Sequence, residues 1–231
     1  AAQRRLDCVD DAAPAGPRYP MPEADGGERP ELRPLPALAD SDEYLRLDLE
    51  QLFGTETAGL LLSEALIERI VATIDNLPRQ RVAERVRPVE PLSSPFAAAG
   101  QDGSGEYGLG ADNYRRYDAL VEAFVSADLE RIVDLYRRYY PLFQDAYVNL
   151  GYPDAYFNDR LVEVLDHLLA TPAPAEPLVL VRPHVLYQYA DPELEALSGG
   201  QKLLLRIGPA HRERVLAKLA ELRSRVAGAA P

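Results

Sequence analysis

Three side chains that can bind a metal ion or exchange a proton recur at intervals of four residues: Asp159, Glu163 and His167. Since an α-helix makes one turn in about 3.6 residues, this spacing places all three on one helical face. Carboxylates and imidazoles are ligands of divalent metals, so the three residues are metal-ligand candidates. One helix usually supplies two ligands, and only His184 and His211 remain as further histidines. The favoured interpretation is therefore a salt-bridged polar face or a buried polar network.

Motifs for covalent catalysis are missing from the sequence. No G-x-S-x-G nucleophile elbow, H-E-x-x-H metal motif or phosphate-binding G-x-x-x-x-G-K-[ST] loop occurs. Asp166 and His167 are neighbours, but adjacent helical side chains point about 100° apart, so the two do not form a catalytic dyad. The single cysteine, Cys8, allows neither an internal disulfide nor a cysteine metal cage. The sequence therefore predicts no cofactor and assigns no catalytic residue.

A five-residue stretch, Leu197-Ser198-Gly199-Gly200-Gln201, spells the signature loop of ABC-transporter ATPases. In those proteins the loop contacts a nucleotide that a phosphate-binding loop must hold, and this chain has no such loop. Ser198 followed by Gln201 at the third position also fits a capping box, in which the two residues satisfy unpaired amides at a helix start. We interpret the stretch as a helix N-terminus.

Tyrosine is abundant, with 13 residues and no tryptophan, and nine of the tyrosines lie between Tyr107 and Tyr156. Tyrosine packs in cores with its hydroxyl directed to a partner, and it is also enriched at protein interfaces. Most of these tyrosines have inward helical phases, which favours core packing. Tyr136, Tyr139 and Tyr140 are the candidates for an interaction surface.

Bulk properties narrow the function classes. The chain has 231 residues, 47% hydrophobic content and a net charge of −12, which suit one domain plus a tail. An acidic surface repels phosphate, so nucleic acid is not an expected partner, and no apolar run approaches the roughly 20 residues that span a bilayer. Residues 200–231 hold seven basic and two acidic residues, a net charge of +5. Ordinary helix decoration is the favoured interpretation of this basic end, and docking on an acidic partner or anionic head groups is the alternative.

Hydrophobic periodicity predicts how the chain is organised. Residues 1–34 are rich in Pro, Gly, Ala and acids, so they form a linker or tail that cannot bury enough surface to fold. Residues 35–227 form a single, mostly helical domain, and 228–231 are a C-terminal tail. The predicted fold class is α+β, predominantly α, with a minor small sheet.

The helical pattern predicts several helix boundaries. Asp40 and Glu43 fit a capping box for the first helix, and Ser126 or Asp128 can cap a long helix that contains Pro141. That proline should bend or split the helix, because it lacks an amide and crowds the preceding turn. Further helices are predicted from 63 to 77, from 112 to 125, after an Asp154 cap, from 201 to 207 and from 210 to 226. Strands are predicted in 79–110, 178–181 and 185–189.

Five stretches together resemble a known bacterial family. They are 75–78, 139–143, 151–153, the run from Tyr156-Phe157-Asn158-Asp159-Arg160 to Pro172, and the run from 189 to Pro209. The chain resembles the uncharacterised domain of unknown function 3014 over about residues 35–226. The resemblance implies a single-pass envelope protein with a membrane anchor before residue 1, a proline-rich spacer at 1–34 and a periplasmic domain. The family assigns no catalytic residues.

Two functions remain open at this stage. The first is a non-enzymatic interaction or scaffolding module at the periplasmic side of the bacterial inner membrane, with another envelope protein as its partner. The alternative is a hydrolytic enzyme or a protein that binds a metal or small ligand with Asp159, Glu163 and His167. A cleft that brings these residues together with His184 or Asp191 would favour the alternative. An exposed apolar or tyrosine-rich patch would favour the first.

Overall fold

The computed structural model describes residues 16–21, 34–92, 94–99 and 105–228. Over these residues, 57% of the chain is helical and a small antiparallel sheet is present, which confirms an α+β fold that is predominantly α. None of the helices described is long and apolar enough to cross a membrane. The helices are α1 Asp42–Phe53, α2 Thr55–Ala58, α3 Leu66–Asn76, α4 Ala111–Arg115, α5 Asp118–Ser126, α6 Leu129–Asn149, α7 Phe157–Leu169, α8 Pro192–Ala196, α9 Gly199–Arg206 and α10 Pro209–Val226. The strands are β1 Ala98–Ala99, β2 Glu106–Leu109, β3 Val179–Val181 and β4 Gln188–Tyr189.

The four strands form one antiparallel sheet in the order β1-β2-β3-β4. Leu180 pairs with Tyr107 on one side and with Tyr189 on the other, and the sheet packs on Leu205 of α9. The region predicted to contain strands at 79–110 does so at β1 and β2, and the strand predicted at 178–181 is present as β3. Only the end of 185–189 is a strand. In the described part of 79–97 there is no strand, and Val89 forms a single bridge. Residues 93 and 100–104 of the region predicted to contain strands lie outside the described residues.

Helix α7 is the centre of the helical layer. Its residues belong to three separate apolar clusters: Phe157 to the cluster with α1, α3 and α6, Val164 and Leu168 to the cluster with α5 and α9, and Val162 to the cluster with the end of α10. Phe157 and Val162 are fully buried. Because its apolar side chains point in several directions, α7 is packed on most of its circumference. The polar residues that remain on α7 therefore lie at the edges of these contacts.

Two helix starts are capped by residues that are distant in sequence. The predicted Asp40–Glu43 capping box is wrong: Asp40 lies in a 3-10 turn, and no side chain caps α1. Asp42 instead accepts hydrogen bonds from the amides of Ala65 and Leu66 at the start of α3, at 2.7 and 2.8 Å. The predicted Asp154 cap of α7 is also wrong. Gln144 of α6 takes that role, since its side-chain oxygen accepts the Phe157 amide at 2.9 Å.

Other boundaries follow the local sequence. Asp128 caps α6 and accepts hydrogen bonds from Glu130 and Arg131, as predicted. Pro141 does not split α6, which runs unbroken past it. The turns on both sides of this proline bury large side chains against neighbouring helices, and this packing outweighs the missing amide hydrogen bond. The predicted helix at 112–125 is divided in two, α4 and α5, at Tyr117.

Candidate functional site

The N-terminal tail returns to the domain at Asp159. Both oxygens of its carboxylate accept backbone hydrogen bonds, one from the amide of Arg18 at 2.9 Å and one from the amide of Tyr19 at 2.7 Å. The chain bends at these two tail residues, which lie between Pro17 and Pro20. We refer to residues 16–21 as the docked segment. It lies within the tail predicted at 1–34, and it packs on the domain.

Asn158 connects the docked segment to α10. Its side-chain nitrogen donates to the carbonyl of Tyr19 at 2.8 Å and to the carbonyl of Val226 at 2.9 Å. Its oxygen accepts from the hydroxyl of Tyr136 at 3.1 Å. Asn158 is fully buried, so these hydrogen bonds satisfy an amide that would be costly to leave unpaired. This network fixes the orientation of the side chain that receives the segment.

The Tyr19 ring packs on the apolar cluster formed by α7 and the end of α10. The guanidinium of Arg223 lies 5.7 Å from the ring centroid, a cation–π contact. Arg223 is itself held by Asp166 through two hydrogen bonds of 2.9 and 3.1 Å. The hydrogen bond to Asp166 raises the pKa of Arg223, and Tyr19 contributes in the same direction. We define the segment site as Tyr136, Asn158, Asp159, Arg223 and Val226.

The other candidates on the face of α7 have different partners. Glu163 is exposed and forms an ion pair with Arg160 at 3.4 Å. His167 forms a hydrogen bond of 2.9 Å with the hydroxyl of Ser198. Asp159, Glu163 and His167 therefore contact three different groups, and the part of the chain that the structure describes has no group of three or more His, Cys, Asp or Glu residues suited to a metal ion.

The two remaining histidines lie elsewhere in the molecule. His184 is exposed in the connection between β3 and β4. His211 on α10 contacts the carbonyl of Ile207 and forms an ion pair with Asp118 at 3.2 Å. His211 therefore has partners other than Asp159, Glu163 and His167. Cys8 lies outside the described residues.

A buried ion-pair cluster lies next to the segment site. The side chain of Asp75, at the end of α3, is 3% exposed and pairs with Arg160 at 3.0 Å and with Arg79 at 2.8 Å. Arg160 also donates to the backbone carbonyl of Asp75 at 2.9 Å, so its guanidinium holds α7 against α3. Burial, followed by the charge of Asp75, raises the pKa of Tyr147 to about 12. We refer to Asp75, Arg79 and Arg160 as the Asp75 cluster.

The ABC-like stretch forms the start of α9, and the interpretation as a capping box is confirmed. The amides of Gly199 and Gly200 donate to the carbonyls of Arg79 and Leu77 at 2.6 and 2.9 Å. A Cβ atom on Gly200 would lie 2.7 Å from a methyl of Leu168 and 3.1 Å from the Leu77 carbonyl. The glycines are therefore needed for the close approach of α9 to the end of α3, and their amides are already engaged.

The three tyrosine candidates of α6 differ in exposure. Tyr139 is fully buried, and its hydroxyl donates to Asp48 at 2.8 Å, so it presents no surface to a partner. Tyr140 is partly buried and contacts Gln144 at 3.3 Å. Tyr136 is also partly buried, and it belongs to the segment site because its hydroxyl donates a hydrogen bond to Asn158 and its ring packs on the α7–α10 cluster. Burial raises the pKa of Tyr136 well above its usual value, so its hydroxyl stays protonated and can donate to Asn158.

Much of the positive charge of α10 is paired within the domain. Its ion pairs are Arg214 with Glu122, Arg223 with Asp166, and Arg225 with Glu130. Lys218 donates to the carbonyl of Ala127. These contacts attach α10 to α5, α6 and α7, as expected for helix decoration.

A small cavity of about 260 Å³ lies near the end of α3 and the start of α8. Its lining includes Gln80, Arg81, Glu195 and Lys202. The ammonium of Lys202 donates to the carbonyl and the carboxylate of Glu195 at 2.9 and 3.0 Å. The positive charge of Lys202 is therefore already paired within the protein.

Sequence reasoning missed the docked segment and the role of Asn158. One signal was available: Tyr19 is the sole aromatic residue of the tail at 1–34, and prolines follow and precede the Arg18-Tyr19 pair. Residues 17–20 thus form a P-x-x-P stretch, a pattern typical of short peptide-recognition motifs. Nothing in the sequence indicated that Asp159 would be its acceptor.

Comparison with known proteins places this fold in a family. The family model described as protein of unknown function (DUF3014) matches residues 66–223, which is more than half of the chain. The match includes Asn158, Asp159 and Arg223 of the segment site, and the docked segment lies outside it. No curated protein and no solved structure matches the chain. The resemblance found in the sequence is thus confirmed, and the chain belongs to the family of proteins of unknown function DUF3014.

Proposed function

We propose that the chain is a non-enzymatic interaction or scaffolding module that works on the periplasmic side of the bacterial inner membrane. In this proposal an N-terminal anchor before residue 1 tethers it to the membrane, and another envelope protein is its partner. The observation that supports an interaction role is the docked segment: the domain binds a short piece of polypeptide through Asn158, Asp159 and Arg223. A surface that binds one peptide segment is suited to binding others.

The engagement of the polar groups also supports this role over an enzymatic one. The carboxylate of Asp159 binds backbone amides, Glu163 pairs with Arg160, and His167 pairs with Ser198. A general acid or base needs a free position within hydrogen-bond reach of a substrate. These side chains instead hold parts of the chain together.

The test is affinity purification of the tagged full-length protein from its native membranes after chemical crosslinking. We expect a defined envelope protein to co-purify with the wild type and to be reduced in an Asp159→Ala variant. The matched control is Asp134→Ala on α6, which changes an exposed carboxylate that pairs with Arg137. Recovery of the protein alone, with nothing above background, would contradict the proposed function.

A further inference from the structure

We propose that the segment site is an exchangeable peptide-binding site, and that the docked segment is its resident ligand. The partner class is a protein with a short exposed stretch in which tyrosine is followed by proline, as in the docked segment itself. This inference rests on the proposed interaction role and names the kind of partner that the role requires.

Recognition of the backbone provides the general part of the binding. Three main-chain groups of the segment are bound: the amides of Arg18 and Tyr19 by Asp159, and the carbonyl of Tyr19 by Asn158. The two hydrogen bonds from the amides to the Asp159 carboxylate are charge-assisted, which makes them stronger than hydrogen bonds between neutral groups. Since main-chain groups are common to all peptides, these contacts do not require this particular chain.

The tyrosine ring provides the sequence-specific part of the binding. It packs on the α7–α10 cluster, which includes the buried residues Val162 and Val226, and lies beside the guanidinium of Arg223. The proline that follows has a fixed φ and also restricts the residue before it, so less conformational entropy is lost on binding. A Tyr-Pro pair therefore combines an aromatic anchor with a backbone that is already restricted.

The segment is bound at the surface, so that it can exchange without unfolding the domain. Tyr19 is partly buried, and Arg18 and Pro20 are exposed. In contrast, Tyr139 and Phe157 are fully buried in the neighbouring core. Release of the segment would expose far less apolar surface than loss of either core residue.

Covalent attachment gives the docked segment an advantage over a free competitor. Residues 22–33 join it to the domain, and such a connection gives a bound segment an effective concentration of about a millimolar. A partner peptide must therefore bind better than the resident one or be present at high local concentration. The segment thus sets the threshold for partner binding.

The experiment measures binding of a fluorescent peptide with the sequence of residues 16–21, Gly-Pro-Arg-Tyr-Pro-Met, to the full-length chain by fluorescence polarisation. We expect Tyr19→Ala, which removes the resident anchor, to bind the peptide at least about tenfold more tightly than the wild type. Adding Asp159→Ala to Tyr19→Ala should weaken binding by about tenfold or more, whereas adding Asp134→Ala should not change it. Circular dichroism of each variant controls for folding.

A second peptide keeps the test independent of protein folding. This peptide carries alanine in place of tyrosine, and it should not bind the Tyr19→Ala variant of the protein. Equal affinity of the wild type and Tyr19→Ala, or no binding by Tyr19→Ala, would overturn the proposal. If the wild type is a dimer and the tyrosine peptide dissociates it, the docked segment belongs to a second copy of the chain. That result would overturn the proposal that the segment is a resident ligand of its own domain. Peptide binding without any co-purifying protein would contradict the proposed function alone, so the two failures are distinguishable.

Discussion

Two carboxylates, Asp75 at the end of α3 and Asp159 in the first turn of α7, differ in what they bind. One joins two helices of the domain, and the other binds the docked segment. Asp75 is 3% exposed and is bound by the guanidinium groups of Arg160 and Arg79. Asp159, immediately before Arg160, binds backbone amides of a segment more than a hundred residues away. The first carboxylate is enclosed between two helices, and the second is bound by the backbone of the docked segment. The two side chains have the same chemistry. Their roles differ because Asp75 binds side chains of the domain, whereas Asp159 binds the backbone of a segment from the tail.

The largest expected effect is at Asp75. Asp75→Ala should lower the free energy of unfolding by about 3 kcal/mol, because it removes the buried carboxylate that binds Arg160 and Arg79 and leaves Arg160 only its exposed partner Glu163. Urea denaturation measures this change. The control, Asp134→Ala, removes an exposed carboxylate that pairs with Arg137 on the same helix and should cost less than about 1 kcal/mol. Equal losses at both positions would remove the distinction between the two regions.

The next effect is expected at the tight contact between α9 and α3. Gly200→Ala places a Cβ against Leu168 and the Leu77 carbonyl, and we expect a loss of about 2 kcal/mol from overpacking. Thermal denaturation gives the measurement. Gly16→Ala is the control, since a Cβ there would meet nothing within 4 Å. An unchanged melting temperature in Gly200→Ala would show that the capping stretch tolerates a side chain.

A smaller effect on stability is expected at Tyr19. Tyr19→Ala should cost less than about 1 kcal/mol in global stability, because the ring is partly buried and lies at the edge of the domain. It should nevertheless abolish the hydrogen-exchange protection of the Arg18 and Tyr19 amides. Exchange monitored residue by residue separates the local change from the global one. Retained protection of these amides would mean that Asp159 alone fixes the segment.

The smallest effect at neutral pH involves Tyr147 beside the Asp75 cluster. Its folded-state pKa is about 12, above the usual value of about 10, so the folded protein holds a proton that the unfolded chain releases. Stability from this group is present below pH 10 and is lost as the pH rises from about 10 through about 12. Tyr147→Phe should therefore reduce the fall in unfolding free energy between pH 9 and pH 11. An identical fall in the wild type and in Tyr147→Phe would argue against this assignment.

Local signals in the sequence predicted the elements that depend on neighbouring residues. The Ser198–Gln201 capping box, the Asp128 cap and the two final helices all follow from contacts within one turn. The predominantly helical class with a small sheet follows from periodicity in the same way. Each of these features involves groups that are adjacent in the chain.

The features that sequence did not predict depend on partners distant in the chain. The start of α7 is capped from α6 by Gln144, and the start of α3 is capped by Asp42 in α1. The partner of Asp159 is a tail segment that composition alone indicates should not fold. Local pattern cannot indicate such pairs, because only the folded arrangement brings the groups together.

The docked segment also has a mechanical consequence. A pulling force applied on the N-terminal side of Gly16 reaches Asp159 and Asn158 before it can reach α1, since the segment is fixed to the start of α7. If the segment detaches, the same force passes along the backbone to the start of the domain at Leu35 and then to α1. The first structure to yield under load is then a surface contact, while the helices behind it keep their packing.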